Sequence, residues 1–448
     1  MVSADRLEGE YRASRPRSSS LHEEARRYFA AAGATHSVRV FQPFRPYVTH
    51  AEGARKWDVD GNEYVDYSMG HGALILGHSH PAVVTAVQQQ ASRGLHYGEN
   101  HQMEVEWAKL IHRMMPVAER VEFCATGQEA NLMAVRLARI YTGRRRILRF
   151  THNYHGWADE LAALGGAGCV ADCVTEIPLN DSVSLERELA TGDYALLLSE
   201  GGGARMAGRA PIALEFQRSL PGVAHNYGTL YCLDEVVTGF RDAPGGWQEL
   251  AGVVPDLATV GKCAGGGLLV GAVVGRADLF AALDPGAPPH RSIHHAGTWN
   301  ANPLSAAAGI AACSLYVDGG PQQQARTMAR LLRDGANEVF RRKRVWGSFY
   351  GRSVVHLYLG RPERDSFDAD FEAPCSDATT LMDQRYAAVV RRMNLHLLQR
   401  GVASLGGSMF VLSAAHTERD VAVTLDGLES SLEAMIVEGA IPADLTVA

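Results

Sequence analysis

Val260-Gly261-Lys262-Cys263-Ala264-Gly265-Gly266-Gly267 sets a lysine at the end of a short apolar strand and runs it straight into a glycine-rich turn. Little side-chain bulk surrounds an amine so placed, and it reaches a carbonyl held over the end of a sheet. Such an amine attacks carbonyls near neutral pH only after losing its proton, which desolvation or a cationic neighbour brings about. Read alone, a lysine beside a glycine turn is most often a solvated surface residue.

Working outward, Thr229-Leu230-Tyr231-Cys232-Leu233-Asp234 reads as a strand buried on both faces and ending in a carboxylate. Strands alternate with helical patterns between about residues 75 and 315, which predicts a mainly parallel sheet covered on both sides. Ligands of open α/β sheets bind at the carboxyl ends of the strands. Asp234 there is poorly solvated and needs a cationic or donor partner. Its alternative role is to cap the next turn or to pair with Arg241.

Val121-Glu122-Phe123-Cys124-Ala125 reads as a further strand, and Thr126-Gly127-Gln128-Glu129 opens a helix with Ala130, Met133, Ala134, Leu137 and Ala138 on one face. Thr126 and Glu129 fit a capping box. Gly127 also bares the N–H groups of a helix start, where the dipole favours an anion. In Asn153-Tyr154-His155-Gly156-Trp157 a tyrosine beside a turn glycine offers a flat face for an aromatic ring.

These pieces, followed by Gly297-Thr298-Trp299-Asn300-Ala301-Asn302-Pro303, come in an order that resembles the fold type I pyridoxal-phosphate enzymes. Within them the chain is most similar to the class III aminotransferases and glutamate-1-semialdehyde aminomutase. Trp57 to Asp66 and Leu76 to Pro81 extend the resemblance, which covers roughly residues 35 to 435. It implies a large domain with a mainly parallel seven-stranded sheet and a smaller α+β domain drawn from both termini. The expected division is an arm over 1–34, a first part of the small domain over 35–74, the large domain over 75–315 and the remaining small domain over 316–448.

The resemblance also implies roles. Lys262 carries the internal aldimine of pyridoxal 5′-phosphate and shuttles the proton between substrate carbon and cofactor, with pyridoxamine 5′-phosphate as the alternate form. Asp234 pairs with the pyridinium nitrogen. Tyr154 stacks on one face of the ring and Val236 packs the other. Thr126, Gly127 and Gln128 form the phosphate loop, helped by Thr298 of a second copy, which implies a homodimer.

Departures from the family pattern bear on substrate. Thr126-Gly127-Gln128 replaces Ser-Gly-Thr, and Glu200-Gly201-Gly202-Gly203 replaces Glu-Pro at the substrate side, where three glycines predict a loosened loop. Arg39 matches the aminomutase arginine that forks a substrate carboxylate. His36 and His71 stand where the aminomutase has serine and tryptophan. His71 either serves the substrate, its pKa lying near working pH, or packs a loop beside Gly70 and Gly72. The stretch Leu161 to Pro178 is shorter than the aminomutase lid, and a substrate-side glutamate is missing from Ser404 to Phe410. An aminomutase must retain its intermediate, which is what a lid does. The expectation is therefore an intermolecular aminotransferase passing nitrogen from a donor such as glutamate to a keto acid or cyclic keto acid. An aminomutase or racemase is the alternative, and transamination coupled to dehydration a lesser one.

A net charge of −7 gives no reason to expect nucleic acid or an anionic membrane as partner. Cys124, Cys232 and Cys263 fall in or beside buried segments, as reduced thiols do. Cys169 and Cys173, and the histidines at 78, 80, 152, 155, 294 and 295, lack the spacing of a metal site. The polar opening has no apolar core for export, and no uncharged stretch reaches spanning length, so a soluble cytoplasmic enzyme is expected. Residues from about 20 to 32 read as an amphipathic helix or a loose arm, Gln322 to Phe340 as a helix, and Arg361 to Ser376 as a surface loop.

Overall fold

The structure is a computed structural model that describes residues 2–35, 37–161, 167–364 and 366–447. His36, and residues 162–166 of the stretch read as a shortened lid, lie outside the described residues.

Seven strands make the central sheet: β1 (Arg120–Cys124), β2 (Arg146–Phe150), β3 (Val174–Ile177), β4 (Tyr194–Glu200), β5 (Leu230–Glu235), β6 (Leu257–Gly261) and β7 (Gly271–Gly275). Their spatial order is β1-β7-β6-β5-β4-β2-β3. Only β7 runs antiparallel to its neighbours β6 and β1; the other pairs are parallel. The mainly parallel α/β sheet expected of fold type I is thus present.

Every residue of β4, β5, β6 and β7 is buried. That explains their near-continuous apolar sequences, since a strand covered on both faces gains from apolar residues at every position. Leu196, Leu198, Leu230 and Cys232 pack on one face with Ala130, Met133, Ala134 and Leu137 of the helix Gly127–Thr142. The alternate residues Leu197, Tyr231 and Leu233 pack on the other with Leu220 and Ala224.

The chain ends come together. Val402–Ala403 pairs in parallel with Glu63–Asp66, joining a C-terminal strand to the N-terminal sheet. A second small sheet, Gly347–Tyr350, Val354–Leu359 and Met409–Val411, is antiparallel. The helix Gly320–Arg342 runs close to the expected bounds. The described residues of the stretch 361–376 form no helix or strand, but Ala373 and Cys375 are buried in a cluster with Tyr350 and Leu381, so they belong to a packed loop. No described helix is long and apolar enough to cross a membrane.

The amino-terminal helix is not where the pattern put it. Helices span Val2–Ala13 and Pro16–Ala25, and residues 29–32 are non-helical. Pro16 sits in the first turn of the second helix, where its missing N–H costs nothing. Nor is the arm loose: Tyr11 donates to the Phe44 carbonyl at 2.9 Å, and Leu7 and Tyr11 pack against Leu395 and Leu398. Arg15, 2% exposed, donates to the Tyr64 hydroxyl and the Leu398 carbonyl, each at 2.8 Å, and lies 3.8 Å from buried Asp58.

Removing one member of such a buried charged set leaves its partners dry and unpaired, at a cost of about 3 kcal/mol. Arg15→Ala should therefore lower unfolding stability by about that amount in urea melts. A change below about 0.5 kcal/mol would mean that the arm contributes nothing to the fold.

Candidate active site

The site forms at the carboxyl ends of β4, β5 and β6, where Glu200, Asp234 and Lys262 lie. Glu200 and Asp234 are register partners on adjacent parallel strands, and Asp234 is also opposite Thr259 of β6. Lys262 follows the last residue of β6 with φ +41°, in the left-handed region that a residue other than glycine adopts at a cost. Gly72 covers it: a Cβ built at Gly72 would lie 3.7 Å from Lys262 Cδ.

Asp234 is not paired with Arg241. That guanidinium donates to the Gly72 and Leu412 carbonyls, locking the turn over the lysine to the C-terminal part of the chain. Asp234 Oδ2 instead accepts from His155 Nδ1 at 2.7 Å and from Asn131 Nδ2 at 2.8 Å, while Oδ1 accepts the Val236 N–H at 3.0 Å. Burial pushes this carboxyl up, and the bonds from His155, Val236 and Asn131 outweigh it and hold the acid below its ordinary range. Burial likewise lowers the His155 pKa, so the imidazole is neutral and donates through Nδ1; its buried Nε2 meets no partner among the described residues. Asn131 also donates to the His155 carbonyl and accepts from Thr259 Oγ1, so it ties β5, β6 and the Tyr154 loop to one helix.

Sequence reasoning weighed His155 only as a metal ligand and did not name Asn131, so neither was given its role at Asp234. Asn131 carries a signal that could have found it: it is a buried amide on the apolar face of the Gly127–Thr142 helix.

Glu200 shows the opposite balance. Burial, with Asp234 adding to it, pushes its carboxyl up to about 8. Its Oε1 accepts the backbone N–H groups of Tyr154 at 2.5 Å and Arg205 at 3.0 Å, and the Gln217 amide donates to its carbonyl. Burial lowers the Lys262 pKa against the pull of Asp234 and Glu200, so the ammonium gives up its proton more readily than an exposed lysine.

The glycines after Glu200 are not a loosened loop. Gly201, Gly202 and Gly203 are buried, and a Cβ at Gly201 would meet Thr238 Oγ1 at 2.5 Å and one at Gly203 the Ala210 carbonyl at 2.3 Å. Side chains crowd Gly201, neighbouring backbone crowds Gly203, and Gly202 holds φ +81°, which is what requires glycine at each.

At the helix start both halves of the capping box form: Glu129 N–H donates to Thr126 Oγ1 at 3.2 Å, and Thr126 N–H to Glu129 at 2.9 Å. The first intrahelical bond is Ala130 N–H to the Thr126 carbonyl, which leaves the N–H groups of Gly127 and Gln128 without an intrahelical acceptor. Val236 fills the space beside Gly127, where a Cβ would lie 2.6 Å from it, and also lies beside Gly261. The Gln128 side chain accepts the Trp157 N–H at 2.7 Å, and so pins the Tyr154 loop to the helix. Tyr154 is 45% exposed and flanks this cluster.

The other candidates lie apart. Arg39 and His71 both line a cavity of about 490 Å³. Arg39 is exposed and donates weakly to Thr35 Oγ1 at 3.3 Å, and His71 holds φ +56°. Thr298 is exposed in the stretch before the helix Pro303–Tyr316, next to Trp299, which is 57% exposed.

A lysine, a paired carboxylate and a bare helix start at the strand ends of this sheet define an enzyme of the fold type I pyridoxal-phosphate class. The class-III aminotransferase family model matches residues 37–181 and 201–352. A glutamate-1-semialdehyde 2,1-aminomutase 2 of Brevibacillus brevis is 35% identical over 444 residues, which cover 94% of this chain and 98% of that one. Among solved structures, an omega-transaminase from Sphaerobacter thermophilus is 30% identical with a TM-score of 0.83, the match covering 93% of this chain and 97% of that one. A β-phenylalanine aminotransferase from Variovorax paradoxus is 28% identical with a TM-score of 0.85, covering 97% of each chain. The chain belongs to the class-III aminotransferase family of pyridoxal-phosphate enzymes.

Glu200 makes the stability of the site dependent on pH. Between its ordinary value of 4.5 and its native value of about 8 the folded state holds a proton that the unfolded state has lost. Its contribution is full below the lower value and disappears as pH rises through the upper one. Glu200→Gln, measured on the cofactor-free protein, should therefore lose less stability over that interval than the wild type. Parallel pH profiles would show that Glu200 titrates normally.

Proposed function

We propose that the chain transfers an amino group from an amino acid donor such as glutamate to a keto acid or cyclic keto acid acceptor, with pyridoxal 5′-phosphate as cofactor. The observation that carries this reading is the desolvated Lys262 beside an Asp234 that His155 and Asn131 keep ionised. The same residues suit the cofactor's three recognisable parts. The uncapped N–H groups of Gly127 and Gln128, beside Thr126, suit a phosphate. Asp234 suits a ring nitrogen, and Val236 and Tyr154 suit the two faces of an aromatic ring.

When bound, pyridoxal phosphate supplies an aldehyde that condenses with amines and a ring that takes up the electron pair left by deprotonation. Asp234 holds the proton on the ring nitrogen, and neutral His155 fixes the carboxylate by donating through Nδ1. Lys262 Nζ would take the proton from the substrate carbon and give it back to the carbon on the other side of the substrate nitrogen. Arg39 and His71, on the rim of their shared cavity, orient the substrate carboxylate and a hydroxyl or carbonyl. Glu200, held by the Tyr154 and Arg205 N–H groups, lines the substrate side. The small domain, 35–74 with 316–448, closes over the site.

Two copies form the working unit, each lending Thr298 to its partner; the exposure of Thr298 and Trp299 supports this. The setting we infer is the cytoplasm.

Intramolecular transfer is the second reading, and the aminomutase name carried by curated relatives at 32% to 35% identity favours it. Against it stand the transaminase titles of solved neighbours.

The holoenzyme given glutamate or another simple donor alone should release one keto acid per site. No keto acid from any simple donor would overturn the intermolecular reading in favour of the second. Lys262→Ala should lose at least about 10³-fold in rate and Asp234→Asn about 10²-fold or more. Rates within a few-fold of wild type for Lys262→Ala would remove the lysine from the chemistry.

A further inference from the structure

A second and larger cleft, about 850 Å³, adjoins the Arg39 cavity, and Val40, Phe41 and Arg45 line both. Its walls carry six arginines, at 45, 205, 209, 361, 385 and 391, against two acids, Asp383 and Asp444. The cleft thus holds a surplus of positive charge in a chain whose net charge is −7. The two acids do not neutralise it. Asp383 is taken by Arg385, and Asp444 accepts from the Tyr386 hydroxyl. Among the described residues, Arg45, Arg205, Arg209, Arg361 and Arg391 form no ion pair.

Two of these guanidiniums are fixed by neutral groups. Arg209 donates to the Leu381 carbonyl and the Ser408 hydroxyl, and Arg45 to the Arg39 and Val38 carbonyls. Burial lowers the pKa of both, and the charges of Arg205 and Arg39 respectively act in the same direction. Uncompensated like charges held this close are tolerated where an anion joins them, because a guanidinium fork gains most from a carboxylate or phosphate in a partly dry site.

One turn links the cleft wall to the reaction centre. Arg205, Met206 and Ala207 are three successive non-glycine residues at positive φ, +58°, +41° and +64°, each costing about 1 kcal/mol or more. This strained turn puts the Arg205 N–H on Glu200 Oε1. It also sets Met206 Cε 3.4 Å from where a Gly72 Cβ would stand, the point that Lys262 Cδ approaches to 3.7 Å. One turn therefore touches the lysine's cover on one side and presents an arginine to the cleft on the other.

We propose that this cleft receives an anionic tail of the substrate, a phosphate or a second carboxylate remote from the reacting carbon, and that Arg205 grips it nearest the reaction. The inference rests on the amino-transfer reading and adds to it a substrate charged at both ends, with Arg39 at the other.

The test compares half-reactions of the holoenzyme with alanine, glutamate and O-phosphoserine. At low salt one charged-tail donor should exceed alanine in kcat/KM by about tenfold or more, and high salt should erode that advantage. Arg205→Ala and Arg391→Ala should each reduce the advantage about tenfold, mainly through KM. Arg205→Ala keeps the backbone N–H on Glu200, so a folding defect is not expected. In calorimetric titrations of the holoenzyme with inorganic phosphate and with glutarate, the tighter probe names the tail, and binding should be lost in the double variant.

No advantage for either charged donor, or an advantage that survives both substitutions, overturns the proposal even if half-reactions proceed. If no donor reacts at all, the amino-transfer reading fails instead, and the titrations alone judge the cleft: saturable binding lost in the double variant supports it, and no binding overturns it.

Discussion

An ionised carboxylate at the end of a strand buried on both faces is the constraint around which the site is organised. Asp234 is 5% exposed, and a lone charge there would take up a proton to escape desolvation. Three donors prevent it: an imidazole from the Tyr154 loop, an amide from the Gly127–Thr142 helix and the Val236 N–H of its own turn. Each comes from a different element, so holding the charge also holds loop, helix and strand end in register with one another. Asn131 extends the hold to β6, the strand that delivers Lys262.

Its neighbour Glu200 lies in the same layer of the sheet, but among the described residues its carboxyl receives only backbone N–H groups, and burial with Asp234 beside it pushes that carboxyl up to about 8. Two acids facing each other on adjacent strands thus take different protonation states because their donors differ. Burial keeps the proton of the amine at 262 loosely held, against the pull of both acids. The strained backbone at Lys262 and through Arg205 to Ala207 lies where this arrangement meets solvent.

Much of this was legible in the chain. Strand-end placement identified Lys262 and Asp234 as candidates, and the spacing of Thr126 and Glu129 identified a cap that forms in full. The apolar runs of β4 and β5 read as doubly buried strands because they are. What did not read were contacts between distant residues: His155 and Asn131 reach Asp234 across 79 and 103 positions. Three glycines after Glu200 suggested slack, yet Gly201 and Gly203 answer the close approach of Thr238, Ala210 and Ile212 and Gly202 a positive φ, which composition does not reveal. The amino-terminal helix was displaced for a related reason. Its burial rests on Phe44, Leu395 and Leu398, residues remote in sequence, and not on its own periodicity.

The covalent proposal at Lys262 is unusually easy to check, since the chain has only four lysines. Lys56 is paired with Asp66 and Lys343 with Glu429 and Glu433, while Lys109 is exposed on a helix. Borohydride reduction of the holoenzyme followed by peptide mapping should leave a pyridoxyl group on Lys262 alone. A label on any of the other three, or on none, would contradict the account.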